Sequence, residues 1–274
     1  MKTRLTLFLI SFAVTLSAPS ARAAIIEDFK FDEITSGTLL GAAVNSANAG
    51  NNWLVHANTV ESAETGAGVF RILKQSQTGQ AANALEIANI TSGKAWLVVD
   101  IAGWNYTATA SSPSERMRFA FMDNDPASTG GSTVTAEMDI DRVGGALALR
   151  GEAIGTGATN PLASTYALPL VQSSPITIAL ELDKILNKYN ILYKDGANPW
   201  GSLGAGNLGE RSAGIIREGR SIRFAFTGTF GDVGEFFDID RIYLTDVNPV
   251  PEPACLVLIG IGAVGVVFRR TRVS

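Results

Sequence analysis

Ile176-Thr-Ile-Ala-Leu-Glu-Leu-Asp183 is the stretch that decides the fold of this 274-residue chain. Every second residue of the stretch is a large aliphatic one, and polar or small residues stand between them. Side chains of a β-strand alternate between its two faces, so this spacing predicts a half-buried strand. After a turn at 184–188, the Tyr-Asn-Ile-Leu-Tyr-Lys segment of 189–194 repeats the alternation. The two segments together predict a β-hairpin.

Other segments of the chain show the same kind of strand pattern, separated by runs rich in glycine, asparagine and serine. The predicted strands are 25–31, 52–55, 69–73, 84–88, 95–102, 117–122, 133–142, 146–150, 222–227 and 236–244. Short strands at turn-punctuated intervals predict an all-β fold, here a single jelly-roll β-sandwich. Because no linker interrupts the pattern, one domain is expected to span residues 24–248.

The first 23 residues have the three parts of a secretory signal peptide. Lys2 and Arg4 precede an uncharged stretch at 5–16, and Ala21-Arg22-Ala23 supplies a small-residue cleavage site. We therefore expect the chain to leave the cytoplasm through the secretion translocon.

The tail at 249–274 has a composition of its own. Pro251-Glu252-Pro253 is followed by an uncharged segment at 254–268 and then by Arg269 and Arg270. As a helix, the uncharged segment extends about 22 Å, less than the bilayer's hydrocarbon core of about 30 Å. Basic residues directly after a hydrophobic segment favour the cytoplasmic side of the membrane. The preceding domain is therefore expected at the outer side.

In order, spacing and position, this tail resembles the PEP-CTERM sorting signal of exported bacterial proteins. The resemblance implies that a hydrophobic helix anchors the protein transiently in the inner membrane. It also implies that a membrane protease of the exosortase type cuts near Pro251-Glu252-Pro253. The released protein is then expected at the cell surface or in the extracellular matrix, in association with exopolysaccharide.

Charge and composition exclude several classes of function. The two targeting segments hold six of the 22 basic residues and one of the 26 acidic ones, which leaves the exported part with a net charge of −9. Nucleic acid is therefore not an expected partner, because its binding relies on basic surfaces. The only cysteine, Cys255, lies in the tail, so neither disulfides nor a zinc–thiolate site is expected in the domain. A single histidine, His56, leaves carboxylates as the main candidates for catalysis.

The domain resembles the concanavalin A-like sandwiches of the laminin G and lectin type. The matching features are the alternating strand that ends at Asp183, the segment Lys-Tyr-Asn-Ile-Leu-Tyr-Lys-Asp-Gly of 188–196, and the final Asp-Ile-Asp-Arg-Ile-Tyr-Leu of 238–244. An opening Asp28-Phe29 together with Trp53 adds to the resemblance. It implies a jelly-roll sandwich.

Glu137-Met-Asp-Ile-Asp141 is the candidate catalytic segment. On a strand its three carboxylates, Glu137, Asp139 and Asp141, share one face. The segment resembles the E-x-D-x-E strand of retaining glycoside hydrolases in the concanavalin A-like group. The resemblance implies Glu137 as nucleophile, Asp139 as helper and Asp141 as acid/base. Asp141 is one methylene shorter than the family's glutamate, so the separation of about 5–5.5 Å that a retaining pair needs is harder to reach.

A candidate glycan-binding face lies on the strand at 95–102 and just beyond it. Trp96, Asp100 and Trp104 fall on one face of this segment, and the aliphatic residues fall on the other. If the aliphatic face packs in the core, two indoles and a carboxylate point outward and form a platform for sugar rings. Trp53 and Trp200 lie near loops rich in asparagine and glycine and extend this surface. The alternative is that the tryptophans pack in the core.

A structural calcium ion is the one cofactor that the sequence suggests. The candidate ligands are Glu27 and Asp28 in the first strand and Asp238 and Asp240 in the last. Calcium takes hard oxygen ligands, and one ion often joins the first and last strands of a jelly roll. The alternative is that these acids are ordinary outward-facing residues of edge strands.

The leading interpretation is a non-catalytic protein of the cell surface or extracellular matrix that binds glycans, with extracellular polysaccharide as its partner. The alternative from another class is a glycoside hydrolase that uses Glu137 and Asp141. The sequence favours the absence of enzyme activity and leaves the question open. A purely structural matrix component without a ligand is the third interpretation.

Overall fold

Strands account for all of the regular secondary structure in the part of the chain that the computed structural model describes. The described residues are 25–30, 54–55, 62–64, 68–73, 82–106, 116–123, 133–143, 146–155, 159–227 and 235–250. None of them forms a helix of the length and hydropathy that crossing a bilayer requires. The signal peptide, the tail from 251 onward, Trp53 and the side chain of Glu27 lie outside the described residues.

The described strands are numbered β1 to β18 in chain order. Their bounds are Ile25–Lys30 (β1), Leu54–Val55 (β2), Ser62–Glu64 (β3), Phe70–Leu73 (β4), Ala82–Ile90 (β5), Lys94–Asn105 (β6), Arg116–Met122 (β7), Val134–Val143 (β8), Ala146–Glu152 (β9), Tyr166–Leu168 (β10), Val171–Gln172 (β11), Ile176–Asp183 (β12), Lys188–Asp195 (β13), Gly201–Asn207 (β14), Glu210–Ser212 (β15), Ile215–Ile216 (β16), Gly219–Thr227 (β17) and Phe236–Thr245 (β18).

These strands form two large antiparallel sheets and one small one. The first sheet has nine strands in the order β14-β13-β12-β6-β18-β4-β3, with β1 beside β18 and β11 beside β6. The second has seven strands in the order β10-β9-β8-β7-β17-β5-β2, and β15 pairs with β16 in a separate hairpin. Neighbours that are distant in sequence, such as β6 with β18 and β7 with β17, are typical of a jelly roll. The predicted all-β sandwich is confirmed.

The hairpin of β12 and β13 has the predicted position. The two strands pair in a continuous register that ends at Asp183 and Lys188. The Asp183 carboxylate closes the turn, because its Oδ1 accepts hydrogen bonds from the N–H groups of Ile185 and Leu186 at 2.9 Å each. Asn187 then adopts a positive φ of 53°, a conformation that asparagine tolerates better than most residues.

The core lies between the two large sheets. Aliphatic and aromatic residues of β6, β12, β13 and β18 face those of β7, β8 and β9. The ring of Phe237 lies 5.6 Å from that of Trp104 and 5.1 Å from that of Tyr106, measured between centroids. Burial of such apolar surface is the dominant favourable contribution to folding.

Several strands have no clear signal in the sequence, namely β3, β10, β11, β14, β15 and β16. Most of these are only two or three residues long, and β14 is rich in glycine, Gly-Ser-Leu-Gly-Ala-Gly-Asn. A Cβ atom on Gly206 of β14 would lie 2.4 Å from the ring of Tyr189 on the neighbouring strand. Glycine makes room for that ring, so packing between strands and not local propensity selects the strand here.

Candidate functional site

Strand β8 places the candidate catalytic carboxylates on the outer face of the seven-stranded sheet. Met138 and Ile140 point into the core, so Glu137, Asp139 and Asp141 share the opposite face, as the alternation requires. Glu137 is 0% exposed, and Asp139 and Asp141 are each 2% exposed. Buried carboxylates need compensation, because the desolvation of an isolated charge is very costly.

One guanidinium group lies among three carboxyl groups on this face. Nitrogen atoms of Arg118 on β7 are 3.4 Å from Glu137, 3.7 Å from Asp139 and 3.7 Å from Glu152 of β9. Oxygen atoms of the three carboxyl groups lie within 4.8 Å of one another. Such oxygens have the donor chemistry of a cation site, and here the side chain of Arg118 provides the positive charge.

The environment of Glu137 favours its protonated form. Burial is the main cause of its raised pKa, and the negative charge of Asp139 raises the pKa further. The charge of Arg118 acts in the opposite direction, and contact with the carboxyl group of Glu152 raises the pKa again. Neither oxygen of Glu137 accepts a hydrogen bond from the described residues. A neutral carboxyl group fits both observations, because it avoids the cost of an uncompensated buried charge.

Two more arginines belong to the charged face. Arg150 of β9 forms an ion pair with Asp141, and Arg223 of β17 is buried, which lowers its pKa. The described ionisable groups of the face are the carboxyl groups of Glu137, Asp139, Asp141 and Glu152 and the guanidinium groups of Arg118, Arg150 and Arg223. Acidic and basic groups are thus interspersed on this buried face.

This arrangement lacks the open pair of carboxylates that glycoside hydrolysis uses. The two groups of a retaining enzyme flank the scissile bond and lie about 5–5.5 Å apart. Glu137 has no exposed surface, and Asp141 is already engaged by Arg150. What these side chains do in the structure is connect β7, β8 and β9 through buried ion pairs.

The predicted tryptophan platform is not formed. Trp96 lies on the outer face of the nine-stranded sheet, where it packs against residues of β6, β12 and β13. Trp104 points into the core instead, and its Nε1 donates a hydrogen bond to the carbonyl of Pro169 at 3.0 Å. Only 5% of Trp96 and 1% of Trp104 is exposed.

A β-bulge in β6 places Trp96 and Trp104 on opposite faces of the nine-stranded sheet. In the ladder between β6 and β18, Ala102 has no partner between Gly103 and Ile101. An extra residue on one strand reverses the alternation beyond it. The expectation that Trp96 and Trp104 share an exposed face is therefore wrong, and the residue pattern alone contains no sign of the bulge.

The other described members of the predicted platform lie on the outer face of the nine-stranded sheet. Asp100 is half-buried and accepts a hydrogen bond from the hydroxyl of Thr177 at 2.6 Å. Trp200 is also half-buried and packs against the same cluster as Trp96. Trp200 thus belongs with Trp96 to a second apolar cluster outside the main core, and Asp100 is bonded to the neighbouring strand β12.

Arginines neutralise two of the acids predicted to bind calcium. Arg241 donates two hydrogen bonds to Asp28 at 2.7 and 2.8 Å. Arg71 donates two to Asp238 at 2.6 and 2.7 Å. Asp240 is exposed. Calcium binding by these acids stays a prediction, in which the ion competes with arginines for two of its ligands.

A cavity of about 480 Å³ lies at one end of the sandwich, and the sequence pattern does not predict it. Its walls come from the segment after β9, the β12–β13 turn, the end of β14 and the β15–β16 hairpin. The polar lining residues are Asn160, Asn187, Asn207 and Glu210, and the aliphatic ones are Leu186, Leu208 and Ile216. Cavities of this volume and mixed lining are typical of small-molecule sites.

Hydrogen bonds hold the walls of the cavity in place. Asn160 and Ala153 exchange backbone hydrogen bonds at 2.7 and 3.3 Å, and the hydroxyl of Tyr189 donates to the Asn160 carbonyl at 2.7 Å. The N–H of Leu208 donates to the carbonyl of Asn187 at 3.1 Å, which joins the end of β14 to the β12–β13 turn. The lining is thus attached to the rigid strands of the fold.

The sequence signal for this cavity is three asparagines near strand ends. Asn160 follows β9, Asn187 precedes β13, and Asn207 ends β14. Asparagine is common at such places because it favours turns. The signal becomes distinctive only when the fold brings the three turns to the same end of the sandwich.

Comparison with sequence families identifies the tail. Residues 249–272 match the family described as the PEP-CTERM protein-sorting motif. The chain therefore carries a sorting signal of exported proteins, which confirms the prediction made from its C-terminal residues. No curated protein sequence matches the chain.

Solved structures confirm the type of fold. The chain is similar to an endo-1,3-beta-glucanase from Streptomyces sioyaensis, with a TM-score of 0.52, 14% identity, and coverage of 83% of this chain and 98% of that one. It is also similar to the metal-free lectin I-B4 from Griffonia simplicifolia, with a TM-score of 0.45, 9% identity, and coverage of 79% and 98%. A third similar structure is the botulinum neurotoxin serotype G binding domain, with a TM-score of 0.49, 12% identity and coverage of 85% of this chain. The match spans about half of that domain, 49% of its length. The fold that the chain shares with the glucanase is the jelly-roll β-sandwich.

Proposed function

We propose that this protein is an exported, non-catalytic component of the cell surface or extracellular matrix, and that its sandwich binds glycans. The observation that carries the binding proposal is the cavity at the end of the sandwich, where amides and a carboxylate lie beside aliphatic side chains. A sugar presents hydroxyl groups and apolar C–H surface together. Amides donate and accept hydrogen bonds and a carboxylate accepts them, so this lining offers partners for both parts of a sugar.

The charged face of β8 supports the absence of catalysis. A nucleophile must contact the reacting carbon, and Glu137 is completely buried. An acid/base group must exchange a proton with the substrate, and Asp141 forms an ion pair with Arg150. The glycoside hydrolase alternative needs both residues to be free and accessible, so the geometry favours the non-catalytic interpretation.

The sorting motif supports the proposed location. A PEP-CTERM motif marks the chain for export, and the proposed partners in this process are the secretion translocon and an exosortase-type protease. The hydrophobic segment after Pro253 is proposed to anchor the protein in the inner membrane until the protease cuts. Delivery to the surface places the sandwich among extracellular polysaccharides, which are the proposed ligands.

A combined binding and hydrolysis experiment tests this proposal on three forms of the exported chain: the unaltered protein, Asn187→Gly and Glu137→Gln. Asn187→Gly removes one amide of the cavity and keeps the backbone conformation, because glycine adopts a positive φ without strain. A glycan array and pull-down on insoluble polysaccharides measure binding, and release of reducing sugar measures hydrolysis. We expect the unaltered protein and Glu137→Gln to bind equally, Asn187→Gly to bind about tenfold more weakly, and no form to release sugar.

Other outcomes support the alternatives. Release of reducing sugar that disappears in Glu137→Gln establishes the hydrolase. The absence of binding to every glycan of the array favours a purely structural matrix component. Undiminished binding by Asn187→Gly removes the cavity from the proposal.

A further inference from the structure

The charge of the cavity lining indicates which class of glycan it takes, an inference that rests on the proposed function. Glu210 is the one ionisable side chain among the lining residues. Within the described parts of the chain, its carboxylate has neither an ion-pair nor a hydrogen-bond partner. A carboxylate accepts hydrogen bonds at both oxygens and donates none. Two adjacent hydroxyl groups of a sugar match this acceptor.

A lysine of β13 donates a hydrogen bond to one of the lining amides. Lys188 Nζ donates to Oδ1 of Asn207 at 2.5 Å. This bond uses the oxygen of the amide, and the Nδ2 group of Asn207 takes no part in it and can donate to a ligand. The cavity thus offers a charged acceptor at Glu210 and an amide donor at Asn207, which together suit a neutral molecule rich in hydroxyl groups.

Exposed aliphatic residues lie beside these polar groups. Ile185, Leu186 and Ile215 are 69%, 66% and 55% exposed, and they are three of the four large hydrophobic residues that are exposed in the described structure. Leu186 lines the cavity, and Ile215 precedes Ile216, which also lines it. A concentration of exposed apolar side chains at one place indicates a binding surface. The C–H face of a sugar ring is a suitable partner for it.

We infer that the cavity binds a neutral sugar unit with adjacent free hydroxyl groups and discriminates against acidic glycans. A uronate or sulfate group in the cavity would lie close to the unpaired carboxylate of Glu210. Repulsion between like charges is strong where the surroundings are partly withdrawn from water. The same carboxylate binds the hydroxyl groups of a neutral sugar through charge-assisted hydrogen bonds.

The test compares neutral and acidic polysaccharides on three forms of the exported chain. The neutral probes are dextran, mannan and galactan, and the acidic ones are alginate, hyaluronate and polygalacturonate. The variants are Glu210→Gln and the matched control Glu218→Gln. Glu218 is the same residue type in the adjacent segment, contacts Asn89 and Arg220, and does not line the cavity. Affinity electrophoresis measures binding, and thermal unfolding checks that each variant is folded.

We expect the unaltered protein to bind at least one neutral probe and none of the acidic ones. Glu210→Gln should weaken neutral binding about tenfold or more, because hydrogen bonds to charged groups are the stronger ones. Glu210→Gln should also bind acidic probes, whereas Glu218→Gln should bind both classes of probe as the unaltered protein does. Periodate cleaves carbon–carbon bonds between adjacent hydroxyl groups, so periodate-treated dextran should bind less well than intact dextran if dextran is bound.

A salt series provides a measurement that needs no variant. Rejection of acidic probes should weaken at higher ionic strength, because salt screens the repulsion. Equal binding of both classes by the unaltered protein, or unchanged binding in Glu210→Gln, overturns this inference and leaves the proposed function standing. If the unaltered protein binds no polysaccharide and no glycan of the array, both this inference and the proposed glycan-binding function are wrong.

Discussion

Arg118 lies 3.4 Å from Glu137 across the β7–β8 pair, at a position where the glutamate has no contact with solvent. The same guanidinium group is within 3.7 Å of both Asp139 and Glu152. One positive charge therefore serves three carboxyl groups that are close to one another. Its loss would lower the positive charge beside this buried cluster, where Arg223 also lies near Glu137 and Asp139.

Arg118→Met is expected to lower the free energy of unfolding by about 3–5 kcal/mol, because three buried carboxyl groups lose a positive partner that they share. Arg71→Met is the matched control. The pair that Arg71 forms with Asp238 is more exposed, with 34% and 15% of the two side chains accessible, and its loss should cost about 0–1 kcal/mol. Urea denaturation at neutral pH measures both. Equal losses in the two variants would contradict the special role of Arg118.

Glu137→Gln is expected to change the pH dependence of stability. The raised pKa of Glu137 means that the folded protein keeps a proton at pH values where an unfolded glutamate, with a pKa of about 4.3, has lost it. The folded state then binds more protons than the unfolded one. The contribution of this group to stability is therefore full below about pH 4.3 and declines as the pH rises, by at most about 1.4 kcal/mol per pH unit.

Glutamine has nearly the same shape and no titrating proton, so the variant should lack this decline. Urea unfolding between about pH 5 and 8 measures the effect as the difference between the two proteins. The charged or titratable groups that face Glu137 are Arg118, Asp139, Glu152 and Arg223, and they are present in both proteins. Parallel curves of unfolding free energy against pH would show that Glu137 carries no such proton.

Asp183→Asn should destabilise the β12–β13 turn in a pH-dependent way. Burial tends to raise the pKa of Asp183, but Lys94 and the backbone N–H groups of Leu186 and Ile185 outweigh it and lower the pKa. The stabilisation is therefore present above the unfolded pKa of about 3.9 and is lost as the pH falls through the folded pKa. We expect a loss of about 1–3 kcal/mol at neutral pH that shrinks in acid.

Denaturant unfolding at neutral and acidic pH checks this prediction. Asp240→Asn is a suitable control, because Asp240 is exposed and surface substitutions usually change stability by less than about 0.5 kcal/mol. A loss in Asp183→Asn that is the same at both pH values would point to packing and not to charge.

Trp104→Ala should lower the free energy of unfolding by about 3–5 kcal/mol, because it opens a cavity in the core. The side chain is 1% exposed, and its ring contacts that of Phe237. Trp200→Ala, at a half-buried position outside the core, should cost clearly less. Thermal and urea unfolding of both variants measure the difference. A surface platform would give the opposite result, with little loss of stability in Trp104→Ala.

The fold could be predicted to a large extent because its signals are local. β12 begins at Ile176 and ends at Asp183 as its alternation indicates, since a strand with one face in the core must place apolar residues at every second position. The same rule placed Glu137, Asp139 and Asp141 on one face of β8, and Met138 on the opposite face packs in the core. Strands without alternation, such as the glycine-rich β14, had no such signal and depend on the tyrosines of β13.

The candidate sites could be predicted only in part. Alternation gave the shared face of Glu137, Asp139 and Asp141, but their burial depends on neighbouring strands, and Arg118 reaches them from β7. The direction of Trp104 depends on the pairing of β6 with β18, because that pairing leaves Ala102 as the extra residue. The cavity depends on four separate segments that end at the same place.

Patterns along the chain were thus enough for the longer alternating strands, the sandwich and the sorting tail. Each of these is specified by residues that are adjacent or regularly spaced, so their physical effect does not depend on distant partners. Contacts in three dimensions decided which carboxylates are buried, which tryptophan faces the core and where a ligand-sized cavity forms. Burial and electrostatic compensation depend on side chains that the chain brings together from remote positions, and no local pattern contains that information.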